Sequence, residues 1–125
     1  MNVVDSCGWL EYFADGPNAD FFAPIIEKTS ELVVPSISIF EVFKKVLHEK
    51  SEDEALQSVA LMQQGQVIDL NSMLAISAAK ISSDLKLPLA DAVILATAYY
   101  HQAPLWTQDA DFEGVRGVNF KPKKK

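Results

Sequence analysis

Residues 87–98 read Leu-Pro-Leu-Ala-Asp-Ala-Val-Ile-Leu-Ala-Thr-Ala and hold a single ionisable side chain, Asp91. The stretch is apolar on nearly every side of a helical wheel, so a helix formed by it must be covered all round. Pro88 suits a helix start, where a missing N–H costs little. Asp91, Leu95 and Ala98 share one face by their spacing. A carboxylate on such a helix is costly unless it is hydrogen-bonded, paired or bound to a metal. The ordinary alternative is an N-cap, where aspartate is favoured. The rest of the chain therefore has to be searched for partners of Asp91.

A helix covered all round belongs in a layered fold, and the remaining pattern is layered. Short apolar runs at residues 2–4, 32–34, 67–70, 104–106 and 118–120 read as strands. Helical segments fall at 6–14, 18–28, 36–50, 51–64 and, after an Asn71 cap, through Leu74, Ala78, Ile81 and Leu85. Pro24 is expected to kink or restart the second of these. Ile39 or Phe40, with Phe43 and Leu47, would form the apolar stripe of the third. Ser51 and Glu54 have capping-box spacing, and Gly65 would end that helix. Strands alternating with helices predict parallel pairing in an α/β fold, its sheet covered on both faces.

The totals narrow the class. A chain of 125 residues can bury a real core. Its one cysteine, Cys7, excludes an internal disulfide and suits a reducing compartment. No apolar run reaches the ~18 residues of a membrane span. The first residues lack a basic segment and meet Asp5 early, so no secretory signal is expected and the cytoplasm is the expected location. The formal net charge of −6 opposes holding nucleic acid by bulk electrostatics. Carboxylates that hold metal count against the sum only while the site is empty. Lys121, Lys123, Lys124 and Lys125 form a basic tail, ordinarily a solvated mobile end and alternatively a nucleic-acid contact.

In parallel α/β sheets, ligands bind beyond the carboxyl ends of the strands. Asp5 ends the first strand there. Glu41 lies early in the helix after the second strand, Asp91 opens the helix before the fourth, and Asp109 and Asp111 follow the fourth directly. All can converge on one edge. Each has a plainer reading: Asp5 as a helix cap, Glu41 in a capping box with Ser38, Asp109 and Asp111 as turn residues. Their conjunction is more specific than any one of them. Two carboxylates ~4 Å apart repel by about 4 kcal/mol at an effective dielectric near 20. Four together must take up protons or bind a cation. Carboxylate oxygens suit Mg²⁺ or Mn²⁺, and such a site suits phosphodiester hydrolysis by activated water. His48 and His101 stand alone and are expected at the surface or in packing, and Cys7 is expected as a small core residue.

Four blocks in order carry a resemblance. They are residues 3–13 (Val-Val-Asp-Ser-Cys-Gly-Trp-Leu-Glu-Tyr-Phe), 34–42 (Val-Pro-Ser-Ile-Ser-Ile-Phe-Glu-Val), 87–98, and 106–112 (Trp-Thr-Gln-Asp-Ala-Asp-Phe). The chain resembles a PIN domain, specifically the VapC-type toxin ribonuclease of a toxin–antitoxin pair. The resemblance implies a three-layer α/β/α fold with a central parallel sheet of four to five strands, over residues 1–120, followed by the lysine-rich tail 121–125. It implies Asp5, Glu41, Asp91 and Asp109 as catalytic and metal-binding residues, with Asp111 as a helper or second ligand. Ser6 and Thr107 would orient ligands or substrate. It implies Mg²⁺ or Mn²⁺, cleavage of single-stranded RNA (tRNA, rRNA or mRNA), homodimers, and a VapB-type antitoxin that blocks the site. Cys7 departs from the small polar residue usual at its position, and the lysine tail is unusual.

Other classes fit less well. Haloacid-dehalogenase-type phosphatases need an acid/base aspartate where Cys7 stands. A signalling receiver domain would use Asp69 as phosphoacceptor, but Trp106-Thr107-Gln108 offers no lysine. The remaining alternative is a catalytically silent PIN-like module that only binds RNA or protein.

Overall fold

Residues alternate along each strand between two cores, which is why these short runs are apolar almost throughout. Val3, Val33 and Leu105 face one cluster, and Val4, Leu32 and Val34 face the other. The computed structural model describes residues 1–124; Lys125 lies outside the described residues. The chain runs β1 (Asn2–Val4), α1 (Ser6–Phe13), α2 (Ala19–Ile26), β2 (Leu32–Pro35), α3 (Ser36–Glu49), α4 (Glu52–Met62), β3 (Gln66–Ile68), α5 (Ser72–Leu85), α6 (Leu89–Tyr100), β4 (Leu105–Thr107) and β5 (Val118–Phe120). Single 3-10 turns stand at Thr29–Glu31 and Ala110–Phe112.

All pairings are parallel, in the order β3-β2-β1-β4-β5. The expected α/β fold with a fully parallel sheet is the one observed, with five strands and six flanking helices. One core holds α5 and α6 residues such as Ala78, Ile94 and Leu95; the other holds Trp9, Phe22, Val42 and Met62 from α1 to α4. The chain builds β1, β2 and β3 outward on one side, then crosses to lay β4 on the other side of β1. That reversal opens a crevice between β1 and β4 at their carboxyl ends.

The α6 helix meets the expectation of all-round burial: Ala92 through Ala98 are buried without a break. Its first turn projects from the core, and Leu89 is 72% exposed. Several local expectations are corrected. The stripe of α3 is Ser38 and Val42, flanked by Ile39 and Val46, while Phe40 and Leu47 face solvent. The helix is turned so that its small residue faces inward, because α3 is packed among α1, α4 and α6. Leu85 is likewise exposed at the end of α5. Pro24 does not restart α2, which runs through it as one continuous helix. α4 ends at Met62, three residues before Gly65. Gly65 serves close approach instead: a Cβ there would lie 3.0 Å from the Leu32 carbonyl oxygen. Ser51 caps α4 by accepting from the Glu54 N–H. β3 and β4 are each offset by about a residue from the expected runs, so Asp69 lies past the end of β3.

Candidate active site

The register puts the site together. Val4 pairs with Trp106, so the next residues, Asp5 and Thr107, emerge side by side at the β1–β4 crevice. The Asp5 N–H donates to the Trp106 carbonyl at 2.9 Å, extending the ladder by one bond. The Asp5 carboxylate is 3% exposed. Its Oδ1 accepts from the Ser6 N–H at 2.8 Å, capping α1. Its Oδ2 accepts from the Thr107 hydroxyl at 2.8 Å and the Cys7 thiol at 3.3 Å. The cap reading of Asp5 is therefore true and compatible with a functional one, because Oδ1 accepts only the Ser6 N–H and keeps acceptor capacity to spare. Thr107 also accepts the Asp109 N–H at 3.0 Å, so one hydroxyl links the first and last acidic segments.

Asp109 begins the 3-10 turn and accepts the Asp111 N–H at 3.0 Å, as a turn aspartate does. Asp91 lies inside the first turn of α6, where Pro88 holds the N-cap position and no side-chain cap bond is made. The N-cap reading of Asp91 is thus excluded. Glu41 lies in the second turn of α3, and Ser38 is inside the helix without a hydrogen bond, so there is no capping box between them. Glu41 instead accepts the Ser6 hydroxyl at 2.7 Å, across 35 residues of sequence.

Asp5, Asp91 and Asp109 each bring a carboxylate oxygen within 4.8 Å of the other two. Glu41 and Asp111 stand outside that group of three and act on it through their charge. Asp91 shows the crowding: burial first, then the charges of Asp5, Asp109, Glu41 and Asp111, push its pKa from 3.8 to about 7. Burial also raises Asp5, against the pull of its hydrogen bonds from Thr107, Cys7 and Ser6. Among the described residues the ion pairs are Lys28–Glu31 and Lys45–Glu49, so no basic side chain neutralises these acids. The donor set is hard oxygen throughout, which fits a divalent cation such as Mg²⁺ or Mn²⁺.

Cys7 is corrected from core residue to rim residue. It is part-exposed, with its sulfur 3.3 Å from Asp5 and 3.4 Å from Thr107, and burial and the Asp5 charge push its thiol up to about 12. His48 is exposed, and His101 is a part-buried packing residue, as expected. The tail lysines separate. Lys121 lies over the Phe21 ring at 5.6 Å, Lys123 lines a cleft beside Cys7 and Gln108, and Lys124 is exposed.

Two residues of this neighbourhood were assigned no role from sequence: Asn18, outside every motif, and Gln108, inside the last block. Asn18 is fully buried, and its amide donates to the Gln108 side chain and to the Pro122 carbonyl, both at 3.0 Å. An asparagine next to a Gly-Pro turn was the only sequence signal for Asn18, and it reads as an ordinary helix start.

Acids gathered at the switch point of a parallel sheet form a carboxylate cluster that could hold a metal ion, on a fold shared with known proteins. Residues 3–118 match the PIN domain family, and the chain is a member of it. Solved structures share the fold at low identity. A toxin–antitoxin complex from Klebsiella pneumoniae aligns at 23% identity and TM-score 0.78, over 95% of this chain and 96% of that one. Mycobacterium tuberculosis VapC20, a sarcin-ricin loop cleaving toxin, aligns at 12% identity and TM-score 0.77, over 94% and 97%. DNA-bound VapBC from Salmonella typhimurium aligns at 17% identity and TM-score 0.73, over 98% of each chain. No curated protein matches the sequence. Among the described residues no helix is long and apolar enough to cross a membrane.

Proposed function

We propose that this chain is a VapC-type toxin: a metal-dependent endoribonuclease that cuts single-stranded RNA and is held in check by a VapB-type antitoxin. The observation that carries the reading is the trio Asp5, Asp91 and Asp109, mutually within 4.8 Å and, among the described residues, without a basic partner. Such a trio is destabilising unless a cation occupies it. Asp5, Asp91 and Asp109 would hold a Mg²⁺ or Mn²⁺ ion, with Glu41 and Asp111 as flanking acids that bind through water or position the substrate. The ion would acidify water for in-line attack on the phosphodiester and neutralise charge on the leaving oxygen.

The chain's own residues set the stage. Thr107 and Ser6 each donate to a different oxygen of the Asp5 carboxylate, which fixes its orientation. The Ser6 hydroxyl holds Glu41 at the rim. Thr107 ties the Asp109 backbone to the same point, which keeps the acids from splaying apart to relieve their repulsion. The toxin–antitoxin neighbours support a paired antitoxin for this chain, and the homodimer rests on the family resemblance alone.

The decisive test is divalent-dependent cleavage of a panel of structured RNAs by the parent, Asp5→Asn and Asp91→Asn. Cleavage lost in both variants supports the reading. Equal cleavage by all three exposes a contaminant, and no cleavage by the parent favours a silent binding module.

A further inference from the structure

The lysine-rich end of the chain is built into the acidic site. β5 pairs with β4, and the ladder continues one bond past it: the Lys121 N–H donates to the Thr107 carbonyl at 3.0 Å. Thr107 is the residue whose hydroxyl holds Asp5. One residue on, the Pro122 carbonyl accepts from the Asn18 amide at 3.0 Å. Asn18 spends its second amide hydrogen on Gln108, which sits between Thr107 and Asp109. With no exposed surface, Asn18 forms these bonds away from competing water. The Asn18 backbone is itself fastened, its N–H donating to Glu11 at 2.7 Å. The segment is thus fixed at two successive residues before it reaches Lys123.

Lys123 then lines a cleft of about 810 Å³ between α1, α3 and α4. The cleft shares Cys7 and Gln108 with the wall of the acidic site, and Lys45 and Lys50 line it further out. Three acids line it too: Glu11 accepts from Asn18, Glu49 pairs with Lys45 at 3.1 Å, and Glu54 stands on α4. Neither Lys50 nor Lys123 belongs to an ion pair among the described residues. In a chain of net charge −6, lysines running outward from a carboxylate cluster give a polyanion its favourable approach.

We infer that Asn18 is a clamp that docks the C-terminal segment, and that the Lys123 it holds in the cleft beside Cys7 and Gln108 takes a backbone phosphate of the RNA strand. This rests on the ribonuclease reading and deepens it. Lys123 fixes where the strand lies, and Asn18 is a positioning residue that acts through Lys123.

The test uses the full chain and an unstructured single-stranded RNA oligonucleotide, with binding followed over a salt series and cleavage followed in parallel. Lys123→Ala is expected to lower the slope of log affinity against log salt by about 0.7, the value of one single-strand phosphate contact. KM should rise roughly threefold to tenfold with kcat unchanged, and Lys123→Arg should restore both. Asn18→Ala should reproduce the shift and add nothing to Lys123→Ala. Hydrogen exchange should show the Lys121 amide losing protection in Asn18→Ala. An unchanged slope and KM in Lys123→Ala overturn the assignment and leave the cleft to a protein segment. An Asn18→Ala loss that adds fully to that of Lys123→Ala overturns the clamp. Should Asn18→Ala fail to fold, Asn18→Ser carries the same comparison. A parent that binds RNA but cuts none removes the ribonuclease reading, while the salt slopes still decide the role of Lys123.

Discussion

Asp91 feels the repulsion of several acids at once, and its position explains why. The helix around it is buried, it meets four other acids, and among the described residues no cation pairs with them. The folded chain keeps the Asp91 proton up to about pH 7, whereas an unfolded chain releases it near pH 4. Between those values the folded state binds more protons, so stability falls as pH rises and stays lower above pH 7. Chemical denaturation in EDTA across this range should show that decline; a flat or rising profile refutes it. Asp91 is half-buried, and solvent screening limits the loss to on the order of 1–3 kcal/mol. Asp91→Asn should recover that amount at pH 8 without metal while abolishing divalent-dependent cleavage. Thr107 carries the opposite burden, because it satisfies Asp5 and the Asp109 N–H at once. Thr107→Val should cost about 1–3 kcal/mol, and Thr107→Ser should keep most of it, as read from denaturant midpoints.

At the scale of elements, α1 is the piece that aims the site, since Asp5 caps it and Ser6 and Cys7 form its first turn. Gly8 lets that helix lie flat on the sheet. A Cβ at Gly8 would come 2.7 Å from both the Phe22 ring and Val4. Gly8→Ala should destabilise by about 1–3 kcal/mol through overpacking, and should lower cleavage as well by tilting the first turn. Circular dichroism melts and cleavage assays on one preparation check both parts. For α3 the contrast is between faces. Val42→Ala should cost about 1–3 kcal/mol because Val42 is fully buried, whereas Phe40→Ala should fall within about 0.5 kcal/mol. Of the stripe expected from sequence (Ile39 or Phe40, with Phe43 and Leu47), Ile39 packs against the core while Phe40 and Leu47 face solvent, because apolarity alone was used to set the phase. The true phase follows from Ser38, a small side chain facing the neighbouring helices.

For the whole molecule, the strand order decides that acids from both ends of the chain share one crevice. Divalent cation should therefore stabilise the fold as a mass-action ligand, raising Tm with concentration, and more at pH 8 than at pH 5, where Asp91 is protonated. Thermal melts of the parent should show this, and Asp5→Asn should lose it. Much of this was legible in the chain itself. Alternating short apolar runs and helical segments specify a parallel sheet, and that class of sheet gathers strand ends and helix starts on one edge. Asp5, Asp91 and Asp109 could thus be named as neighbours from their places in the pattern alone. Contacts whose geometry depends on packing phase were not legible. The Ser6–Glu41 bond spans 35 residues, and the Asn18 clamp joins a turn near one end to a carbonyl near the other. Periodicity tells which residues seek burial, because that preference is local. Which polar group meets which is set only when helices acquire a rotation and strands a register, and those are properties of the packed molecule.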